Sequence, residues 1–267
     1  IGLAKECEQA AFARDKRIKN SEGATVSVHE SQFVYANSLG FIGGYPTSRH
    51  SVSCAVIAGK GSAMQRDYWY TEAREASEML KVEEVGRIAA ERAVRRLNAR
   101  KLGTMQVPVL FEAPVAASLL GHFVGAVSGS SLYRKSSFLL DQLGKPVFSS
   151  NIHIDDIPDI PRGLASSAFD DEGVKTQRRT IVEAGVLQGY FLSSYSARKL
   201  GMQTTGNAGG NHNLIIETSA LDFPALLKKM GRGLVVTELL GQGVNAITGD
   251  YSRGAAGFWV EHGEIQY

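Results

Sequence analysis

"SVSCAVIAGKGSAMQRDYWY", residues 51–70, decides the fold class. Its first eight residues run apolar and small, Gly59 and Gly61 interrupt them, and aromatics resume in "AMQRDYWY" (63–70). That is the pattern of two strands with a turn between them. Toward the N-terminus, "TVSVHES" (25–31) and "FVYANS" (33–38) alternate apolar and polar residues, so a four-stranded antiparallel meander is expected over Ala24–Tyr70. Toward the C-terminus the period changes. Val82, Val85, Ala89, Ala93 and Leu97 fall at steps of three and four, with Glu83 and Glu84 early and Arg92, Arg95 and Arg96 late. This charge order complements a helix dipole, and the basic cluster reads as a solvated helix end. Strands followed by a helix make the class α+β.

"NARKLGTMQVP" (98–108) reads as a linker, which divides the chain into domains at 1–103 and 104–267. Pro108 opens a strand "VPVLFE" (107–112), and "SGSSLYRKSSF" (128–138) is polar and loop-like. "NIHIDDIPDIPRG" (151–163) is expected to be an extended surface connection. "TQRRTIVEAGVLQGYFLSS" (176–194) is a hairpin turning at Glu183-Ala184-Gly185. "SYSARKLGM" (194–202) is a short helix ended by Gly201, and "TTGNAGGNHN" (204–213) is a glycine-rich loop. "FPALLKKMGRG" (223–233) is a helix; "GLVVTELLGQG" (233–243), "VNAITG" (244–249) and "GFWVEHGEIQY" (257–267) return to strands, the last turning at His262-Gly263.

The 267 residues carry 43% hydrophobic and 21% charged side chains, which suits packed cores and not disorder. A formal charge of +2 gives no reason to expect nucleic acid or a membrane surface, and aromatics do not interleave the arginines as an RNA or DNA patch would require. No apolar run reaches the length of a membrane span. Two cysteines, Cys7 and Cys54, make no disulfide framework and suit a reducing compartment; Cys54, in an apolar strand, is expected to be an inert buried thiol. The first residue is Ile1, so the chain reads as a piece of a longer one.

The helix that should follow Pro114 contains "SLLGHFVGAVSG" (118–129), with His122 its only titratable group in that stretch. A helical zinc motif needs two imidazoles on one face and a carboxylate beside the metal-bound water. Of the six histidines, His29, His50, His122, His153, His212 and His262, none pairs with another at helical ligand spacing. His153 has Asp155 and Asp156 near it, which read first as surface aspartates of a proline-rich loop and otherwise as an example of an alternative metal site, His153 with Asp155 or Asp156. The loop 204–213 lacks the Lys-Ser/Thr of a phosphate cradle, and no G-x-S-x-G elbow presents a serine nucleophile. The residues alone describe a binding module, a partner subunit or a substrate-shaping domain.

Long strings of the chain resemble the TldD/PmbA family of bacterial metallopeptidases, and most of all its PmbA (TldE) branch. They are "RKLGTMQVPVLFE" (100–112), "GHFVGA" (121–126), "SLYRKSSFLLDQLGK" (131–145), "GLASSAFDDEGVKTQRR" (163–179), "SYSARKLGMQTTGNAGG" (194–210) and "TELLGQGVNAITGDYSRGAAGFWVEHGEIQY" (237–267), with "GGYPTSRHS" (43–51) and "RDYWYT" (66–71) earlier. The resemblance implies strongly curved, mostly antiparallel sheets with a few packed helices. It also implies a cytoplasmic heterodimer in which a TldD-type chain and a TldE-type chain degrade or trim small unfolded peptides.

In the TldD branch the helix carries His-Glu-x-x-x-His. Gly121 here takes the place of the first zinc ligand, His122 that of the catalytic glutamate, and Ala126 that of the second ligand. The family's third ligand, a cysteine, falls at a position past Tyr267, so the resemblance leaves open whether it exists here. The implied chain therefore holds no metal or cofactor; zinc belongs to the TldD-type partner, and this chain completes the chamber. Peptide is expected to add along strand edges near Thr205, Gly206 and Asn207 and near Gly241, Gln242 and Gly243. Two other readings stand beside it: a peptidase acting alone through His153 with Asp155 or Asp156, and a non-enzymatic regulatory or binding protein, homodimeric when isolated.

Overall fold

The computed structural model describes residues 1–217 and 219–266. It divides into two compact units, the first made of Ile1–Val34 and Ile42–Gly103, the second of Tyr35–Phe41 and the chain from Thr104 onward. The seven residues Tyr35–Phe41 thus leave the first hundred to join the second unit.

In the first unit, helix α1 (Gly2–Arg14) precedes strands β1 (Ile18–Ala36), β2 (Ile42–Ala58) and β3 (Gln65–Ala73), and helix α2 (Val82–Arg95) follows them. The sheet order is β1-β2-β3, with β2 and β3 antiparallel from His50 opposite Ala73 to Ala58 opposite Gln65. The expected four strands are three, because "TVSVHES" and "FVYANS" are halves of the single strand β1. Only Gln32 separates them, and glutamine has no turn chemistry to reverse the chain. The reversal comes at 37–40, where Asn37 Oδ1 accepts from the Leu39 and Phe41 N–H groups and Gly40 adopts φ +90°.

Every second residue of inner β2, Val52, Cys54, Val56 and Ala58, is buried against Val85, Ala89, Ala90 and Ala93 of α2 and Cys7 and Ala11 of α1. Arg92 and Arg96, expected at a solvated helix end, instead turn onto buried Asp67 at 3.3 and 3.6 Å, and the Arg92 guanidinium stacks 5.0 Å from the Trp69 ring centre. The Cys54 thiol is held well above its ordinary pKa by its hydrogen bond with Cys7 and by burial. Both cysteines are free and essentially inaccessible. Neither is expected to react with an aromatic disulfide reagent until the protein unfolds, and one full equivalent released from native protein would contradict this packing.

In the second unit, β4 (Val109–Phe111) leads into helices α3 (Ala113–Ala126) and α4 (Gly129–Tyr133). Strands β5 (Ile154–Ile157), β6 (Arg179–Glu183) and β7 (Val186–Leu187), helix α5 (Ser194–Leu200), strand β8 (Asn213–Ile216) and helix α6 (Phe223–Met230) follow, and β9 (Gly233–Leu240), β10 (Gly254–Glu261) and β11 (Glu264–Ile265) end it. One sheet runs β11-β10-β9-β4, antiparallel except where β4 lies parallel to β9; the other runs β7-β6-β5-β8 and is wholly antiparallel. The class is α+β with mostly antiparallel sheets.

Ala184 (φ 47°) and Gly185 (φ 78°) make the tight turn of the β6–β7 hairpin, and His262 (φ 54°) and Gly263 (φ 75°) that of β10–β11. Tyr267, the end of the last expected strand, lies outside the described residues. Three expectations are corrected. The polar run 128–138 contains α4, whose Leu132 is fully buried in the main core. "VNAITG" is no strand: Asn245 Oδ1 accepts from the Ile247 N–H and folds the segment into a turn, leaving only a bridge between Val244 and Tyr251. And "NIHIDDIPDIPRG" contains β5, an inner strand of its sheet, with Ile154 and Asp156 fully buried.

Candidate functional site

Helix α3 begins after Glu112, with Pro114 in its first turn, where a missing N–H costs nothing. Its apolar stripe packs Phe123, Ala126 and the following Val127 into the core with Leu132, Ile154, Leu187 and Leu192. Gly121 and Gly125, one turn apart, face open space, while His122 and Ala126 line a pocket. That pocket encloses about 200 Å³ between α3, the segment around Phe138 and Leu139, Phe148, and the turn 244–251. His122 is exposed at its edge, and its ring meets that of Tyr251 edge-on with centroids 6.0 Å apart.

The zinc implied by the resemblance does not fit these residues. Glycine at 121 and alanine at 126 present no side-chain lone pair, and besides His122 only Asn245 and Tyr251 bring polar side chains to walls otherwise made of phenylalanine, leucine, valine, alanine and glycine. Among the described residues no group of three or more His, Cys, Asp or Glu side chains is placed to hold a metal ion.

The alternative site at His153, Asp155 and Asp156 comes apart on β5. The strand alternates, so Asp155 and Asp156 point to opposite faces of the sheet. Asp156 is turned inward to a buried network. Its Oδ1 accepts from the His212 N–H at 2.7 Å; its Oδ2 accepts from Asn207 Nδ2 at 3.0 Å and lies 3.0 Å from His212 Nδ1. Arg179 joins by donating to Asn207 Oδ1 and the Tyr190 carbonyl, both at 3.0 Å. Burial lowers the Arg179 pKa, and the nearby charge of Asp156 opposes that shift. Among the described residues the His212 ring bonds Asp156 and Asn207, so the pair fastens β5 to the loop before β8.

The strand-edge residues have other work. Thr205 Oγ1 accepts from the Leu192 N–H at 2.8 Å and donates to Asn207 Oδ1 at 2.8 Å. Gly206 (φ 69°) has its α-carbon so near the Lys175 carbonyl that a Cβ would stand 2.8 Å from the oxygen. Thr205, Gly206 and Asn207 therefore lock the loop inward, although Asn207 also reaches a second pocket of about 310 Å³ lined by Ser128, Ser130, Ser193 and Ser196. Gly241 and Gln242 are exposed beyond the end of β9, but Gly243 lacks a side chain because the Ser252 carbonyl of the same chain lies against it. Nothing in the sequence marks Asp156 as clustered with Asn207 and His212: it lies 51 residues from the first and 56 from the second, and aspartates beside prolines look solvent-facing.

Residues 1–97 match the model of the PmbA/TldA metallopeptidase central domain and residues 104–267 that of the PmbA/TldA metallopeptidase C-terminal domain. The chain is 54% identical to the Metalloprotease PmbA of Escherichia coli O157:H7, over all of its own length and 59% of the relative's. It spans about six-tenths of the length of the curated relatives it resembles. A candidate modulator of DNA gyrase from Bacteroides thetaiotaomicron superposes with a TM-score of 0.94 at 30% identity, over 99% of this chain and 60% of that one. TldE from Thermococcus kodakarensis has the same fold, with a TM-score of 0.85 at 23% identity over 99% of this chain and 63% of that one.

Proposed function

The chain belongs to the PmbA/TldA metallopeptidase family, and from that premise we propose that it is the subunit of a two-chain peptidase that lacks the metal. A TldD-type partner supplies the zinc and the catalytic carboxylate. This chain completes the chamber and holds small unfolded peptides. One observation carries the reading: at the helix where the family's motif falls, Gly121 and Ala126 stand in place of ligands and His122 in place of the general base. An exposed imidazole flanked by Gly121 and Ala126, which have no side-chain ligand atoms, does not reproduce a carboxylate that takes a proton from metal-bound water. The complex belongs in this reading to the cytoplasm; no helix among the described residues is long and apolar enough to cross a membrane.

The test uses the protein alone and with its partner. Purified from cells grown with zinc, it should retain far less than one equivalent of metal by elemental analysis and should not cleave unstructured peptides. Tagged and recovered from its own cells, it should bring down a chain bearing His-Glu-x-x-x-His, and hydrolysis should appear with that chain. Stoichiometric zinc in the isolated protein, or peptide cleavage resistant to chelators and independent of the partner, would overturn the proposal.

A further inference from the structure

The geometry points to the pocket beside His122 as a binding site for one uncharged, ring-sized side chain of a bound peptide, an aromatic ring above all. This rests on the reading that the chain holds substrate. Size comes first: an apolar cavity of about 150 Å³ in an unrelated protein is enough to take up benzene, and this one is about 200 Å³. Ala126 is part of its wall, so a longer side chain at that position would take up some of the space.

Lining comes second. Phe123, Phe138, Phe148 and Tyr251 surround the space, and Phe123 and Phe148 already meet edge-on with centroids 5.1 Å apart. A further ring would find edges and faces at the distances aromatic pairs prefer. No carboxylate, ammonium or guanidinium lines the pocket, so a charged side chain would lose its hydration without a partner.

The walls are also set in advance. The Phe138 N–H donates to the Ala246 carbonyl at 2.9 Å, which ties the turn 244–251 to the opposite wall. Ser137 Oγ donates to the Ala126 carbonyl at 2.6 Å, and the Tyr190 hydroxyl to the Leu139 carbonyl at 2.9 Å. Gly249 (φ 81°) lies so close to Phe138 that an added Cβ would be 3.1 Å from its ring. A cavity held open by such bonds costs a ligand little ordering. At the mouth, the exposed His122 ring meets that of Tyr251, and neither of its nitrogens is hydrogen-bonded among the described residues, so both can meet the main chain of a peptide whose side chain is inside.

The test is an amide-resolved NMR titration of the protein with N-acetylphenylalanine amide and, separately, N-acetylaspartate amide. The phenylalanine compound should give saturable shifts at Leu119, Ala126, Ala246, Gly249 and Tyr251. The aspartate compound should bind at least about tenfold more weakly, the cost of leaving a charge unpaired. Ala126→Leu, which fills the cavity, should remove the phenylalanine response. Should that variant fail to fold, Leu119→Trp fills the same space from a half-buried position. Absence of saturable shifts at these residues, equal binding of the two compounds, or a response unchanged by a folded filling variant would each overturn the site. A chain that recruits the catalytic partner yet takes no ring sinks the pocket alone. One that takes the ring and never pairs sinks the subunit reading alone.

Discussion

Replacing Asp156 with alanine is expected to destabilise the protein by about 3–5 kcal/mol, the cost of removing one partner from a buried charged cluster. The carboxylate is 0% exposed and accepts from the His212 N–H and from Asn207 Nδ2. Without it, those two donors lose their buried acceptor, and the half-buried Arg179 guanidinium loses the negative charge of Asp156 that offsets its desolvation. Asp156→Asn keeps the volume and one acceptor oxygen, so it should cost less, about 1–3 kcal/mol. Urea unfolding followed by circular dichroism decides: the alanine variant should lower the midpoint without changing the slope. A loss under about 1 kcal/mol would show that the cluster does not fasten β5 to the loop before β8.

Much of the fold is written in local pattern. Helix α2 declares itself because three signals coincide: apolar residues every three or four positions, glutamates in the first turn and arginines in the last. The two tight hairpins are legible because Ala184-Gly185 and His262-Gly263 fall between apolar runs. Helix α1 is illegible for the opposite reason. It buries only Cys7 and Ala11, so its sequence carries no apolar stripe, and small residues set its contact face. Strand β1 reads as two because alternation marks a strand's faces and not its length; the strand runs on through Gln32.

The candidate site was legible in one respect and hidden in another. Missing metal ligands can be read from residue type alone: Gly121 and Ala126 have no donor atoms in any fold. The space beside them cannot. The pocket forms only when Phe138, Phe148 and the turn 244–251 converge on α3, and those residues lie up to 129 positions from His122 along the chain (251 minus 122). "VNAITG" misled because its valine and isoleucine suggest a strand, whereas Asn245 captures two backbone donors within three residues and closes a turn. Asp156 misled in the same way. Proline neighbours suggested solvent, and long-range partners made burial affordable.

Gly86→Val is expected to destabilise the first unit by about 3 kcal/mol, at the upper end of what overpacking usually costs. Gly86 lies where α2 crosses α1: a Cβ there would collide with the Cys7 carbonyl oxygen and stand 3.1 Å from the Ala11 nitrogen. Both are backbone atoms of a helix, so they cannot rotate away as a side chain would. Alanine at the same place gains up to about 1 kcal/mol of helix propensity, yet it meets the same collision, and a smaller net loss of about 1–2 kcal/mol should remain. Displacement of α1 has a second, independent reading. Cys7 is 0% exposed only while α1 lies flat on α2 and β2. A valine at 86 should therefore let Cys7 react with a thiol reagent under native conditions, at a rate that falls when Cys7 is replaced by serine. If Gly86→Val unfolds at the same urea concentration as the parent and keeps both thiols protected, the helices have another way to pack and the close approach at Gly86 is not what seats α1.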